Sequence, residues 1–472
     1  MKGLENYTIK SAHDALKSGE TTARALAEAS LSALEEKEKD IHAYLEVFDD
    51  VLDQAEKADE LLARGEGSVL TGIPLAVKDN ILIEGRKVSA ASKILEGYHA
   101  SYDATAIARL KEEHPVFIGR TNMDEFAMGA STENSAYTPT KNPLDQTRVP
   151  GGSSGGSAAS VAMHSVLGAL GSDTAGSIRQ PASFCGLVGL KPTYGSVSRH
   201  GLIALGSSLD VIGPMTKTVE DAEILFNTMK GKDTFDATSV EDSDFSRKEI
   251  GAKIKVGVLD REYLLEKGIS NEVITNYDTS IEKIKSLGYE LKEIVLPHLE
   301  YAVPTYYVLL PAEASSNLAR FDGIRYGVHQ DGDNGIDDFL KTRGQGFGRE
   351  VRRRILVGTY VLSAGYSDEY YKKALSVRDY IRKDFYDVFR EVDVVMTPTT
   401  ATSAFRLGEK VHDPVAMYLE DIFTVPANLA GIPAITIPSN WENKSELPLG
   451  IQYMSPHMHE DLLFTIGKDF EK

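Results

Sequence analysis

Apolar residues recur at helical spacing in the first part of the chain. The pair Thr21-Thr22 can cap a helix over 23–37, and a second helical pattern covers 51–63. We therefore predict that residues 1–65 form a helical N-terminal layer.

From residue 66 onward the pattern changes to short apolar runs between glycine-rich loops. Such runs are typical of buried strands, and they alternate with helical segments as in α/β proteins. In the second half a strand, an amphipathic helix that ends at Gly288 and another strand predict a βαβ unit over 254–295. The predicted strands lie at 74–77, 116–119, 166–170, 254–259, 290–295, 392–396, 434–437 and 449–453.

The length of 472 residues would suggest about three domains. The pattern shows no convincing linker, because the polar stretch 230–252 is short enough to be a surface loop. We therefore expect one α/β domain over 1–472. It consists of the helical segment 1–65, a motif-rich region over 66–230 and a second half, 253–472, that completes the sheet.

Composition and charge narrow the functional class. No run approaches the roughly 18–20 apolar residues that a membrane span needs, and the N-terminus lacks the apolar stretch of a signal peptide, so we expect a cytoplasmic protein without a membrane partner. The single cysteine, Cys185, excludes an intramolecular disulfide and a cysteine-built zinc site. A net charge of −19 argues against nucleic-acid binding by this chain. The one compact basic run, 352–354, is interpreted as a solvated helix face.

A loop of four glycines and three serines, Gly151–Ser157, runs directly into an alanine-rich segment. Hydroxyls and backbone amides at a helix N-terminus suit an anion or an oxyanion. The loop formally fits the nucleophile-elbow pattern, but Pro150 breaks the strand that an elbow requires. It is not a phosphate loop either, because no lysine follows the glycines.

A second serine cluster, 171–182, follows a predicted strand. Ser177 lies where a helix N-terminus would favour developing negative charge, but a serine needs a base to become a nucleophile. Neither cluster contains a histidine. Lys78, at the end of an apolar strand, is the candidate base, because burial lowers the pKa of an amine and makes it neutral.

These three positions together resemble the amidase signature family, and the resemblance covers most of the chain. It implies an amidase-signature fold, with a central mixed β-sheet covered by helices on both faces. It also implies a Ser–Ser–Lys triad, in which Ser177 is the nucleophile that forms an acyl-enzyme. Ser153, preceded by a cis peptide bond, would relay the proton to Lys78, the base that burial keeps neutral.

The resemblance further assigns an oxyanion hole to the backbone amides of Thr174, Ala175, Gly176 and Ser177. The chain departs from the family pattern at Ala175, where glycine is usual. An alanine there would be strained if the position required a positive φ.

Four further segments resemble the branch of this family that supplies glutaminase subunits to tRNA-dependent amidotransferases: 122–129, 189–195, 317–327 and 421–431. That branch hydrolyses glutamine to glutamate and ammonia. Its partner, the B subunit, receives the ammonia and uses ATP and Mg²⁺ to convert Glu-tRNA(Gln), and the tRNA is contacted mainly through this subunit. A small C subunit joins the A and B subunits in a heterotrimer. The resemblance implies no cofactor in this chain itself.

Free glutamine requires a cation for its α-carboxylate and an anion for its α-ammonium group. The resemblance assigns these roles to Arg354 and Asp421, with Tyr306 lining the pocket. Arg353 is an open alternative to its neighbour, and Tyr306 can equally be a core aromatic residue. Two other functions also stay open: a stand-alone amidase for a different amide, and a scaffold without catalysis.

Two additional patterns are interpreted as structural. Ser280 and Lys283 match an S-x-x-K motif, but they lie within the predicted amphipathic helix. His457 and His459 suggest a metal only weakly, so we expect no metal site.

Overall fold

The computed structural model describes residues 3–241, 243, 253–411, 413–439 and 447–472. These residues form one eleven-stranded sheet. Its strands are β1 Tyr44–Val47, β2 Pro74–Lys78, β3 Val116–Thr121, β4 Gly168–Asp173, β5 Val188–Lys191, β6 Val211–Thr216, β7 Lys255–Leu259, β8 Glu290–Ile294, β9 Val394–Pro398, β10 Ala434–Pro438 and β11 Gly450–Met454.

The sheet is mixed, and its strand order is β1-β3-β2-β4-β6-β5-β10-β11-β9-β7-β8. Strand β2 runs parallel to β3 and β4, and β7 runs parallel to β8 and β9, whereas the other pairs are antiparallel. The pairing of β2 with β4 aligns Val77 with Leu170. The carboxyl end of β2, at Lys78, therefore lies beside the last residues of β4, and this edge of the sheet carries the candidate site.

Sixteen α-helices are formed by the described residues. They are α1 Ile9–Ser18, α2 Ala23–Ile41, α3 Val51–Ala63, α4 Thr105–Glu112, α5 Gly155–Ala162, α6 Arg179–Phe184, α7 Val219–Met229, α8 Arg261–Glu266, α9 Asn271–Ser286, α10 Ala302–Asn317, α11 Gly335–Gly346, α12 Arg349–Leu362, α13 Lys373–Val388, α14 Pro414–Leu419, α15 Val425–Ala430 and α16 Glu460–Glu471. None of the described helices is both long and apolar enough to cross a membrane.

Two glycines of the central strand β4 show that helices cover both faces of the sheet. A Cβ atom on Gly168 would lie 3.0 Å from the side chain of Leu225 in α7, whereas one on Gly171 would lie 3.0 Å from Ser154 at the start of α5. Residues three apart in a strand point to opposite faces. The predicted fold class, a mixed sheet between helices, is therefore confirmed.

All eight strands predicted from apolar runs are present, with boundaries shifted by up to about three residues. The predicted βαβ unit is confirmed as well, because β7 and β8 pair in parallel and α9 lies between them in sequence. The prediction that residues 1–65 are helical is wrong at Tyr44–Val47, which forms the edge strand β1 against β3. Four residues are too few for a period of two to stand out from the helical pattern around them. Most of the stretch 240–252 lies outside the described residues.

Candidate active site

Lys78, the last residue of β2, is completely buried. Its Nζ atom lies 2.8 Å from Ser153 Oγ, 2.7 Å from Ser154 Oγ and 2.9 Å from Ser172 Oγ. Its hydrogen-bond partners among the described residues are hydroxyl and carbonyl groups, without a carboxylate. Burial lowers the pKa of Lys78 to about 7, although the charges of three more distant aspartates oppose the shift. The lysine can therefore act as a neutral amine near neutral pH.

Two of the hydroxyls around this amine are also held by other groups. The Ser154 hydroxyl donates to the Ser172 carbonyl at 3.1 Å, so its oxygen accepts from Lys78. The Ser172 hydroxyl oxygen accepts from Asn80 Nδ2 at 2.9 Å. A neutral amine has two N–H donors and one lone pair. When both donors serve Ser154 and Ser172, the lone pair faces Ser153, whose hydroxyl can donate to it.

The loop that carries Ser153 has a cis peptide bond between Gly152 and Ser153, at the position that the family resemblance implies. The Gly152 amide donates to Gln180 Oε1 at 2.8 Å, and the Ser153 carbonyl accepts from the Asp124 amide at 3.2 Å. A Cβ atom on Gly152 would lie 2.3 Å from Asp124 Oδ2. Only glycine therefore allows this close approach of the loop to Asp124.

Ser177 lies in the turn between β4 and α6. It is 7% exposed, whereas Lys78 and Ser153 are fully buried. The Ser177 carbonyl accepts from the Ser154 amide at 3.2 Å, which brings the turn against the cis-peptide loop. The Ser177 hydroxyl makes no hydrogen bond with another described residue. Of these three predicted side chains, Ser177 is therefore the one that a ligand can reach.

The structure changes the predicted set of oxyanion donors. The Gly176 amide donates to Asp173 Oδ1 at 2.8 Å, so it is already engaged. The backbone amides of Thr174, Ala175 and Ser177 donate to no other atom within the described part of the chain. Three of the four predicted amides are therefore available to an oxyanion, and that of Gly176 is not.

The alanine that departs from the family pattern is accommodated without backbone strain. Ala175 does not have a positive φ; the residue that does is Gly176, at +128°. A Cβ atom on Gly176 would lie 2.4 Å from Thr424 Oγ1, which donates to the Ala175 carbonyl at 2.5 Å. Residue 176, and not residue 175, is therefore the position in this turn that requires glycine.

A buried ion pair behind the turn was not predicted as a functional feature. Arg179 Nη2 lies 3.0 Å from Asp173 Oδ1, and both side chains are fully buried. Arg179 also donates to the Thr424 carbonyl at 2.9 Å and to Asn428 Oδ1 at 2.6 Å. Burial by itself would raise the pKa of Asp173, but Arg179 lowers it to about 2. A charged Asp173 therefore holds the Gly176 amide at all physiological pH values.

The three residues predicted to bind substrate are joined by a tyrosine that the sequence analysis did not single out, Tyr307. The Arg354 guanidinium lies 5.6 Å from the centroid of the Tyr307 ring. The Tyr307 hydroxyl donates to Asp421 Oδ2 at 3.2 Å, and the Tyr306 ring packs edge-on against Tyr307 at 4.9 Å. Burial raises the pKa of Asp421 to about 7, although the Tyr307 hydrogen bond and Arg354 oppose the shift.

The two adjacent arginines differ in their environment. The Arg354 side chain is 7% exposed, and its Nε donates to Glu350 Oε1 at 2.7 Å. The Arg353 side chain is 40% exposed, and it binds both Glu350 carboxylate oxygens and the Tyr418 hydroxyl. Arg354 is therefore the arginine that lies inside, beside the partly buried Tyr307.

This charged group lies next to the turn that carries Ser177. The Thr424 hydroxyl is within hydrogen-bond distance of both the Ala175 carbonyl and the Asp421 carbonyl, at 2.5 and 3.2 Å. The short segment 421–424 therefore connects the charged group to the serine turn.

The patterns interpreted as structural have structural contacts. Within α9, the Ser280 hydroxyl donates to the Asn276 carbonyl at 2.8 Å. His457 is partly buried, and this burial lowers its pKa to about 4. Across the described residues, no group of three or more His, Cys, Asp and Glu side chains is arranged to hold a metal ion.

Comparison with known proteins agrees with this geometry. The family model described as Amidase matches residues 25–464. The A subunit of glutamyl-tRNA(Gln) amidotransferase from Desulfatibacillum aliphaticivorans is 49% identical over 474 residues, with 99% of this chain and 97% of that protein covered. The protein of the same name from Fusobacterium nucleatum is 50% identical over 477 residues, with the same coverage.

Solved structures show the same relationship. The crystal structure of the A subunit of glutamyl-tRNA(Gln) amidotransferase from Thermotoga maritima superposes with a TM-score of 0.77 at 41% identity and covers 100% of this chain and 94% of that one. A structure described as an amidase has a TM-score of 0.82 at 29% identity, with 98% and 99% covered. The family match over most of the sequence, together with these full-length relatives, shows that the chain belongs to the amidase family of enzymes.

Proposed function

We propose that this chain is the glutaminase subunit of a tRNA-dependent amidotransferase and supplies ammonia for the conversion of Glu-tRNA(Gln) to Gln-tRNA(Gln). The observation that carries the proposal is that the buried Lys78 amine contacts hydroxyl and carbonyl groups, with its Nζ 2.8 Å from Ser153 Oγ. The names of the full-length relatives support the choice of substrate and complex.

In the proposed acylation step, Ser177 Oγ attacks the side-chain carboxamide carbon of glutamine. The Ser177 proton passes to Ser153 as the Ser153 proton passes to the lone pair of Lys78. A carbon–oxygen bond forms and the carbonyl electron pair moves onto oxygen. The free amides of Thr174, Ala175 and Ser177 are the candidate donors to this oxyanion.

The second half of the cycle reverses the proton transfer. The Lys78 ammonium returns its proton through Ser153 to the leaving nitrogen, the carbon–nitrogen bond breaks, and ammonia leaves a glutamyl ester on Ser177. Water then attacks this ester with the same relay as base. Glutamate is released, and Ser177 regains its proton.

In this proposal, the charged group joined by Tyr307 selects the substrate. In the proposal Arg354 binds the α-carboxylate, because it is the buried arginine, and Asp421 binds the α-ammonium group. Tyr306 forms a wall of the pocket. An amide that lacks the α-carboxylate or the α-ammonium group would forgo the charge-assisted hydrogen bonds to Arg354 or Asp421.

The remaining steps belong to the other two members of the heterotrimer. The B subunit would bind the tRNA, with ATP and Mg²⁺, and the C subunit would hold the two larger subunits together. The net charge of −19 is consistent with a chain that leaves the tRNA to its partner. A cytoplasmic location follows from this role in translation.

A stand-alone amidase is the second candidate, because the structure described as an amidase superposes over nearly the whole chain. Its triad could be the same. The discriminating feature is the presence of both Arg354 and Asp421 beside Tyr307, which suits a zwitterionic amino acid.

The test measures glutamate release from glutamine by the purified chain, alone and together with the B and C subunits, Glu-tRNA(Gln) and ATP. The proposal expects hydrolysis that appears or rises sharply only in the complex. Robust hydrolysis by the chain alone, unchanged by its partners, would favour a stand-alone amidase. No hydrolysis in either condition would favour a scaffold.

A further inference from the structure

Glu125 is a buried glutamate that takes no part in the proposed chemistry. Its carboxylate accepts hydrogen bonds from the Gly348 amide, at 2.9 Å to Oε2 and 3.1 Å to Oε1, and from the Ser92 hydroxyl at 2.5 Å. Gly348 is the N-cap residue of α12. A Cβ atom on Gly348 would lie 2.2 Å from Glu125 Oε2, so glycine is what lets the helix start approach this close.

The neighbouring residue, Asp124, contacts the cis-peptide loop that carries Ser153. The Asp124 amide donates to the carbonyl of Ser153 at 3.2 Å. Ser92 extends the contact on the helix side, because its hydroxyl also lies 3.3 Å from the Gly346 carbonyl at the end of α11. The two-residue segment 124–125 therefore touches both the cis-peptide loop and the junction between α11 and α12.

Helix α12 connects this junction to Arg354 of the charged group joined by Tyr307. Arg354 lies six residues after Gly348, which at 1.5 Å per residue is about 9 Å along the helix. Farther along, a Cβ atom on Gly358 would lie 1.8 Å from the Pro311 carbonyl of α10. The helix is therefore held at two points, and the Glu125 contact is the one on the side of the cis-peptide loop.

We propose that Glu125 is a positioning residue for substrate recognition, which sets where Arg354 lies relative to the Ser153 loop. It touches neither the substrate nor the reacting atoms. The inference rests on the proposed function, in which Arg354 binds the carboxylate of glutamine. It adds that selectivity for an amide with a carboxylate at a defined distance depends on Glu125.

The principal test is Glu125→Gln, measured in the assembled complex. A glutamine side chain has no charge for the helix N-terminus, and it can turn an N–H group toward the Gly348 amide. Because hydrogen bonds to charged groups are the stronger class, we expect KM for glutamine to rise by about 10- to 100-fold. We expect kcat to stay within about threefold, because the triad is unchanged.

Two comparisons separate a positioning role from a merely structural one. Hydrolysis of propionamide, which has no carboxylate, should be equally slow in Glu125→Gln and in the unaltered complex. Combining Glu125→Gln with Arg354→Lys should raise KM little beyond the larger single effect, because both act on the same contact. As a matched control, Glu96→Gln alters an exposed glutamate paired with Lys93 and should leave both kinetic constants unchanged.

An unchanged KM in a folded Glu125→Gln complex, or a loss confined to kcat, would overturn the inference. If circular dichroism shows that this variant does not fold, Ser92→Ala replaces it, with an expected rise in KM of about 3- to 10-fold; an unchanged KM there would overturn the inference equally. A fully unaltered complex that does not hydrolyse glutamine would instead refute the proposed function.

Discussion

The protonation state of Lys78 can be tested through stability, independently of catalysis. Burial lowers the pKa of this lysine from 10.5 to about 7 in the folded chain. Between these two values the unfolded chain binds a proton that the folded chain does not, so stability rises with pH across the window. At 1.36 kcal/mol per pKa unit, this shift makes the free energy of unfolding about 5 kcal/mol larger above pH 10.5 than below pH 7. The stabilisation is lost as the pH falls from 10.5 to 7.

The substitution Lys78→Met removes this titration and keeps a long side chain in the space. We expect the free energy of unfolding of the original chain, minus that of the variant, to rise by about 3 kcal/mol between pH 7 and pH 9.5. Hydroxyl groups that lose their partner in the variant also change stability, but that change does not depend on pH and cancels in the comparison. Urea unfolding at both pH values, followed by circular dichroism, measures the difference.

If the difference in the free energy of unfolding between the original chain and Lys78→Met stays constant from pH 7 to pH 9.5, the conclusion that Lys78 is neutral in the folded protein is refuted. The same pKa predicts the kinetics: kcat/KM for glutamine should rise with pH and level off above about 7. A rise centred above pH 9 would mean that the lysine is charged in the resting site. Lys78→Ala should lower kcat by several orders of magnitude, and a loss of only severalfold would point to another base.

Four further substitutions test separate parts of the site. Ser177→Ala should abolish glutamine hydrolysis and leave the melting temperature and assembly with the partner proteins unchanged, and substantial residual turnover would exclude Ser177 as nucleophile. Gly176→Ala should lower kcat at least tenfold and destabilise the chain by about 1–3 kcal/mol, because the new Cβ atom would lie 2.4 Å from Thr424 Oγ1 at a positive φ; a variant with full activity and unchanged stability would contradict this geometry. Arg354→Lys should raise KM for glutamine more than tenfold, whereas Arg353→Lys, on the exposed neighbour, should change it less than threefold; the reverse order would exchange their roles.

Much of the architecture follows from local pattern. Apolar runs predicted strands such as β2, β4 and β10, because most positions of a strand that is buried on both faces are apolar. The strands that the pattern missed, β1, β5 and β6, are short or interrupted by glycine and proline. The residue types of the site were also recognisable in sequence, since serines among glycines and a lysine at a strand end are unusual combinations.

The arrangement of the site required the fold. Lys78 and Ser153 are 75 residues apart. The parallel pairing of β2 with β4 places Lys78 beside Ser172, whose carbonyl accepts from the hydroxyl of Ser154, the residue next to Ser153. The choice of Arg354 over Arg353 also depends on packing, because adjacent residues of a helix face different directions.

The sequence by itself determined the family, the fold class and the residue types available for catalysis, because these depend on local pattern and on motifs. Only the tertiary structure decided which backbone amides stay free, which arginine lies inside and that Glu125 reaches the start of α12. Each of these depends on contacts between residues distant in sequence, and such contacts form only when the strands pair and the helices pack upon them.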